Sequence, residues 1–201
     1  LIDRYLVAAE VVGIEPVILL NKTDLLAADL ALQQSIDELL AIYPTLGYRV
    51  IRTSIKAGGL GELQRALLER TSVFVGQSGV GKSSIIMALD PNLDLKVQEI
   101  SDAHLQGKHT TTFYQMHPLA QGGFVIDTPG IRGFGLVDFS HEELSNYFPE
   151  MFRVEDGCKF TPCTHTHEPG CAVKEAVERG EISLERYESY IGMLQESGKY
   201  R

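Results

Sequence analysis

Basic residues are scarce in this chain. Its 201 residues hold 18 Lys and Arg against 27 Asp and Glu, a formal net charge of −9. That balance argues against a broad nucleic-acid-binding face, although it leaves room for a local basic patch. Long apolar runs are missing too. None reaches the roughly 18 residues that a membrane-spanning helix requires. Asp3, Arg4 and Glu10 interrupt the apolar residues at the N-terminus, which excludes a secretory signal peptide. Cysteine is rare, with three residues clustered late in the chain. An odd, clustered set speaks against a disulfide framework and for a metal site in a reducing, cytoplasmic compartment. Residue 1 is Leu rather than Met, so the natural start is expected upstream.

What is present suffices for a core. At 44% hydrophobic residues, the chain can build one ordinary domain plus a smaller appendage. Its most informative stretch is Gly76-Gln77-Ser78-Gly79-Val80-Gly81-Lys82-Ser83, which fits the phosphate-binding pattern GxxxxGK[ST]. Residues 72–75 read as a short buried strand and residues 84–89 as a helix, the context this motif needs. The glycines let backbone N–H groups approach phosphate oxygens. The helix N-terminus adds the positive end of its dipole. In this reading Lys82 bridges the β- and γ-phosphates, Ser83 ligates Mg2+, and Ser84 joins the nucleotide-binding set. A plain glycine-rich turn would rarely fill all four fixed positions between a strand and a helix.

Residues 1–12 read as a helix with Gly13 as its C-cap. A buried-strand run follows at 16–20 and ends in Asn21-Lys22-Thr23-Asp24, an NKxD pattern. A carboxylate at Asp24 can accept hydrogen bonds from the guanine N1–H and exocyclic amine, whereas adenine lacks that donor pair. Asn21 would orient the base and brace the phosphate loop, and the Lys22 stem would cover the ring. Alone, these four residues fit a helix N-cap at Thr23 or Asp24 as well. Periodicity predicts a helix over 30–42 stopped by Pro44, a strand at 48–52 and a second helix over 60–69. Thr53-Ser54-Ile55-Lys56, after that strand, resembles the SAK element that supports guanine O6, with Ser54, Ile55 and Lys56 in the site.

Past Leu89 the pattern fades into a long loop, 90–107, then Lys108-His109-Thr110-Thr111-Thr112. Long loops between clear elements are often functional. A GTPase places switch I here, with a threonine on Mg2+, and Thr111 is favoured over Thr110. Residues 113–117 and 123–126 read as a hairpin. It runs into Asp127-Thr128-Pro129-Gly130, a DxxG element in which Asp127 holds Mg2+ through water and the Gly130 N–H senses the γ-phosphate. A plain β-turn is the lesser alternative. The guanine motifs precede the phosphate motifs, the reverse of the usual order. Every part is present, but circularly permuted, which is cheap because domain termini often lie close together. The chain after DxxG therefore enters the appendage, and nucleotide state is expected to couple to it.

Ser140-His141-Glu142-Glu143 fits a capping box, which predicts a helix to about Tyr147 before Pro149. Then comes Cys158-x4-Cys163-x-His165-x5-Cys171, a set suited to a closed, structural Cys3His zinc site, with His167 as a competing fourth ligand. Two short amphipathic helices over 173–179 and 184–194 follow, separated by Gly180 and capped by Ser183.

NKTD, TSIK, GQSGVGKS, GKHTTT and DTPG in this order, followed by the Cys-His cluster, resemble the RsgA/YjeQ family of circularly permuted GTPases. The resemblance covers essentially the whole chain. It implies an α/β fold: a permuted P-loop GTPase domain with a mostly parallel sheet over 1–136, and a small helical zinc-binding domain over 137–201. It implies a slow GTPase stimulated by the small ribosomal subunit, acting in that subunit's late maturation, with ribosomal RNA, GTP or GDP, Mg2+ and one Zn2+ as partners and a monomeric state. Family members carry an N-terminal OB-fold, and none precedes Leu1, so a truncated copy is expected. Ile131 stands where many GTPases keep a water-orienting glutamine. The family's switch I histidine maps onto His109, which becomes the expected catalytic residue. Three other readings stay open: a GTP-dependent assembly switch, an ATPase, and an RNA-binding zinc module with little catalysis.

Overall fold

The computed structural model describes residues 1–90, 115–127 and 143–197. The helix α1 (Ile2–Val11) buries Asp3, Leu6 and Val7, the i, i+3, i+4 spacing of one helical face. It ends at Gly13, whose N–H bonds to Glu10 O while that of Ile14 bonds to Ala9 O, the paired C-terminal bonds of a Schellman motif. The strand β1 (Val17–Leu20) leads into a 3-10 turn at Thr23–Ala28. Asp29 caps α2 (Leu30–Thr45), its Oδ1 accepting the Leu32 N–H.

Pro44 does not stop α2 as its sequence position predicts. It lies inside the last turn, and the helix ends one residue later. The stop is made by Gly47 at φ 96°, with Gly47 N–H to Pro44 O and Tyr48 N–H to Tyr43 O. A proline missing one helical bond is tolerated at a C-terminus that glycine closes.

The strand β2 (Arg49–Arg52), helix α3 (Gly61–Leu67), strand β3 (Thr71–Phe74) and helix α4 (Lys82–Leu89) follow, each within a residue or two of expectation. The strands β4 (Gln115–Pro118) and β5 (Phe124–Asp127) form the predicted antiparallel hairpin, and β5 runs parallel to β3. The sheet order is β3-β5-β4, and β1 pairs with β2 in a separate two-stranded sheet. Toward the C-terminus a 3-10 turn at Leu144–Tyr147 precedes α5 (Pro149–Phe152), a further 3-10 turn (Glu155–Gly157), α6 (Ala172–Glu178) and α7 (Leu184–Ser197). Pro149 therefore begins a short helix at its first position, where no N–H is needed, instead of merely ending one. The Ser140 capping box lies outside the described residues. The Gly180 break and the Ser183 cap are as expected: Ser183 Oγ accepts the Arg186 N–H.

The described residues fall into two compact units. One comprises 1–18, 38–49 and 143–197; the other comprises 19–37, 50–90 and 115–127. The first is built on Val7, Leu144, Phe148, Met151, Val173, Ala176, Tyr190 and Met193. The second is built on Ile51, Leu63, Leu67, Ile85, Ile86 and Val125. Such fully buried side chains each contribute about 1.5–3 kcal/mol over exposure, enough to fix the elements that carry the polar residues below.

Candidate functional site

In the second unit, three separate stretches of sequence meet at the phosphate loop. Asn21 Nδ2 donates to Val80 O at 2.9 Å, and Lys22 Nζ donates to Gly79 O at 2.7 Å, contacts spanning 59 and 57 residues of chain. Lys22 adopts the left-handed conformation, φ 61°, which turns the chain sharply after β1. Thr53, fully buried at the end of β2, organises this turn: its N–H reaches Leu20 O, its O accepts the Thr23 N–H, and its hydroxyl donates to Asn21 Oδ1 at 3.2 Å. Ser54, also buried, donates to Asp24 Oδ1 at 2.5 Å and accepts the Ala57 N–H. The Ser54 hydroxyl, with the nearby Lys56 and Lys22 charges, holds the Asp24 carboxyl below the usual carboxylate range. Asp24 is thus an ionised double acceptor, the state that guanine readout requires.

The loop itself runs from β3 to α4. Gly81 has φ 99°, and a Cβ there would stand 2.5 Å from Asn21 Nδ2. No side chain fits between the loop and Asn21. Lys82 is buried, and its Nζ donates to Gly76 O at 2.7 Å and Gln77 O at 2.9 Å, so the ammonium is held inside the loop's curve. Ser83 is half-buried at the start of α4, whereas Gln77, Ser78, Val80, Ser84, Ile55 and Lys56 are exposed. Asn21, Lys22, Asp24, Ser54 and the 76–83 loop therefore converge. His109, Thr111 and Gly130 lie outside the described residues, as does the Asp127 side chain. Thr53 carried no role in the sequence reading, although it occupies the first position of the TSIK stretch.

The first unit holds the cysteine cluster. Cys158, Cys163, His165 and Cys171 each offer one donor atom, all within 4.8 Å of one another. His165 Nδ1 is 3.6 Å from Cys158 Sγ and 3.4 Å from Cys171 Sγ, and those two sulfurs are 3.9 Å apart. With Zn–S near 2.3 Å and Zn–N near 2.0–2.1 Å, a tetrahedron requires about 3.8 Å between sulfurs and about 3.6 Å from nitrogen to sulfur. The donor set fits such an ion. His167 is exposed and bonded to the Thr166 hydroxyl, so His165 is the fourth donor.

The loop around His165 is braced on every side. His165 takes φ 56°, unusual for a side chain. Glu168 accepts the Thr164 N–H, the Thr164 hydroxyl and the Thr166 N–H, and these bonds bring its pKa down to about 2. Tyr187 and Tyr190 of α7 donate to the carbonyls of His165 and Thr164 at 2.6 and 2.9 Å. The Cys171 thiol caps α6 by accepting the Lys174 N–H. Burial pushes the Cys163 thiol up to about 12, raises Cys171 and lowers His165. A metal entering this set must displace the thiol protons, and their release accompanies binding. The two tyrosines escaped the sequence reading because they reach back from α7, and Glu168 because a loop carboxylate three residues from His165 carries no recognised spacing.

The stretches that carry both sites fall within matches to known proteins. The RsgA GTPase family model matches residues 1–137. A small ribosomal subunit biogenesis GTPase RsgA of Flavobacterium psychrophilum is 45% identical over 96% of this chain and 59% of its own length. One from Bacteroides fragilis is 46% identical over 100% of this chain and 65% of its own. The chain thus spans about three-fifths to two-thirds of these relatives. Among solved structures, YjeQ from Thermotoga maritima superposes with a TM-score of 0.84 at 40% identity, covering all of this chain and 66% of that one. YloQ, titled a circularly permuted GTPase, gives 0.79 at 34% identity over 100% of this chain and 63% of its own. The fold is therefore the α/β circularly permuted GTPase fold, extended by a helical segment with a Cys3His cluster.

Proposed function

The chain belongs to the RsgA GTPase family, and from that membership we propose that it binds and hydrolyses GTP in late maturation of the small ribosomal subunit. The observation that carries this is the pair of hydrogen bonds that Asn21 and Lys22 donate to the carbonyls of Val80 and Gly79. A guanine reader is joined to a phosphate loop that follows it in sequence. In the proposed mechanism Asp24 accepts from the guanine edge, and Ser54, Ile55 and Lys56 support the base. Residues 76–84 cradle the phosphates, with Lys82 turning from the loop carbonyls to the β- and γ-phosphates. Ser83, Thr111 and Asp127 hold Mg2+, and Gly130 meets the γ-phosphate.

The family model's match to residues 1–137 supports 1–136 as the GTPase module and 137–201 as the metal module. Zinc is the proposed metal, held by Cys158, Cys163, His165 and Cys171. The relatives' name supports the small ribosomal subunit as a partner, and its ribosomal RNA is the proposed contact. Among the described residues no helix is long and apolar enough to cross a membrane. A cytoplasmic, monomeric protein is the reading proposed.

Nucleotide competition tests the core of this proposal. Unlabelled GTP and GDP should displace a fluorescent GDP analogue from the chain, and ATP should not. Effective ATP displacement would establish the ATPase reading instead. GTP turnover should rise on adding small ribosomal subunits, and a flat rate removes the subunit from the scheme.

Ile131 follows Gly130, where a glutamine would orient water, and this favours a switch that hydrolyses slowly. His109 is the proposed water-positioning residue. A His109→Ala chain should keep its GTP affinity and lose about 10²–10⁴-fold in stimulated turnover, the range for one positioned proton-handling group. Full stimulated turnover in that variant would remove His109 from catalysis.

A further inference from the structure

The ring of His165 has a second face to account for. Nδ1 points at the Cys158 and Cys171 sulfurs, as the distances above show. Nε2 then carries the proton. His165 is 1% exposed, and its Nε2 has no hydrogen-bond partner. A buried N–H without an acceptor costs about 1–3 kcal/mol, so this atom calls for one. The Glu155 carboxylate stands 3.8 Å away, its Oε2 nearest. That is longer than a hydrogen bond, by less than one ångström. Glu155 belongs to the turn Glu155–Gly157, which leads directly into Cys158. Burial raises the Glu155 pKa, and a hydrogen bond from the Ser145 side chain partly offsets this.

We propose that Glu155 is a positioning residue of the metal centre, the outer acceptor of the His165 Nε2–H. Resting on the zinc reading above, it completes a carboxylate–imidazole–metal chain. Metal-bound imidazoles regularly donate their free N–H to a carboxylate, which fixes ring orientation and tautomer and raises ligand basicity. Here a residue three positions before a cysteine ligand supplies that carboxylate. In the loaded centre this 3.8 Å separation must shorten to hydrogen-bonding distance. Glu155 thus makes His165 a better ligand without touching the metal. Glu168 is turned to Thr164 and Thr166, whereas Glu155 is the carboxylate that stands against Nε2.

The test uses the full chain, loaded with zinc and titrated with a chromophoric chelator. Glu155→Ala should weaken zinc binding by about 10–100-fold, and Glu155→Gln, which keeps a neutral acceptor, by less. The same two substitutions in a His165→Cys background should change affinity less than about twofold, because a thiolate ligand has no N–H to hold. Equal losses in both backgrounds, or no loss beside His165, overturn the proposal. Nitrogen-15 spectra of the zinc-loaded protein give a readout independent of the cysteine variant. His165 should show a metal-bound Nδ1 and a downfield, slowly exchanging Nε2–H that moves upfield in Glu155→Gln. Zinc on Nε2, or an unmoved proton, overturns it equally. Failure of the unmodified chain to take up zinc refutes the zinc reading itself, and with it this proposal.

Discussion

Gly81→Ala is expected to weaken GTP binding by about 100-fold or more, and Gly79→Ala by only about 5–30-fold. Both glycines sit at positive φ, 99° and 81°. An L side chain costs about 1–2 kcal/mol there, which the relaxed free loop must repay on binding. At Gly79 that is the whole effect, for a Cβ would meet nothing within 4 Å. At Gly81 the Cβ would stand 2.5 Å from Asn21 Nδ2. Asn21 must then leave Val80 O, losing a hydrogen bond worth about 1 kcal/mol and the brace between the NKTD turn and the 76–83 loop. The two losses couple through one atom. In an Asn21→Ala background, Gly81→Ala should therefore cost no more than Gly79→Ala. Titration of a fluorescent GDP analogue measures all four chains, and equal losses for the two glycines would show that Asn21 does not brace the loop.

The phosphate loop, NKTD and TSIK were legible because each is a contiguous run whose spacing is set by a small ligand. Their convergence was legible only through their cyclic order. Thr53 was read as part of TSIK, but its four backbone and side-chain bonds to Leu20, Asn21 and Thr23 depend on strand pairing, which no local pattern reveals. The choice of His165 over His167 was likewise a matter of geometry: both lie between two cysteines, and only the left-handed turn at 165 aims its ring inward. The stop of α2 was misplaced because Pro44 is a stronger signal in sequence than Gly47. In the structure the glycine's two closing bonds decide.

The buried charges were the least legible, and they carry the second large prediction. In α7, Arg186, Tyr190 and Met193 share one buried face at i, i+4 and i+7. Periodicity points that face inward, yet an arginine reads as solvent-exposed. Its partners are as hidden: Asp3 read only as an interruption of an apolar terminus. Arg186 is 1% exposed, and its Nε and Nη2 grip Glu150 at 2.6 and 3.1 Å while Nη1 reaches Asp3 at 2.7 Å. Its guanidinium lies 4.5 Å from the centre of the Phe148 ring, and Tyr43 donates a further bond to Asp3. Burial alone would lower the Arg186 pKa, but Glu150 and Asp3 outweigh it and raise it.

Arg186→Met should therefore destabilise this unit by about 3–5 kcal/mol, because it strands two carboxylates in the interior. Packing loss alone would be far smaller, since methionine keeps much of the stem's volume. The charge explanation makes a sharper demand. Adding Asp3→Asn and Glu150→Gln to Arg186→Met should recover most of the loss, while the same two changes beside an intact Arg186 should destabilise by leaving the guanidinium unpaired. Urea unfolding of the metal-loaded chains, followed by circular dichroism, reads all three. A triple variant as unstable as Arg186→Met would mean that shape, and not paired charge, holds α1, α5 and α7 together.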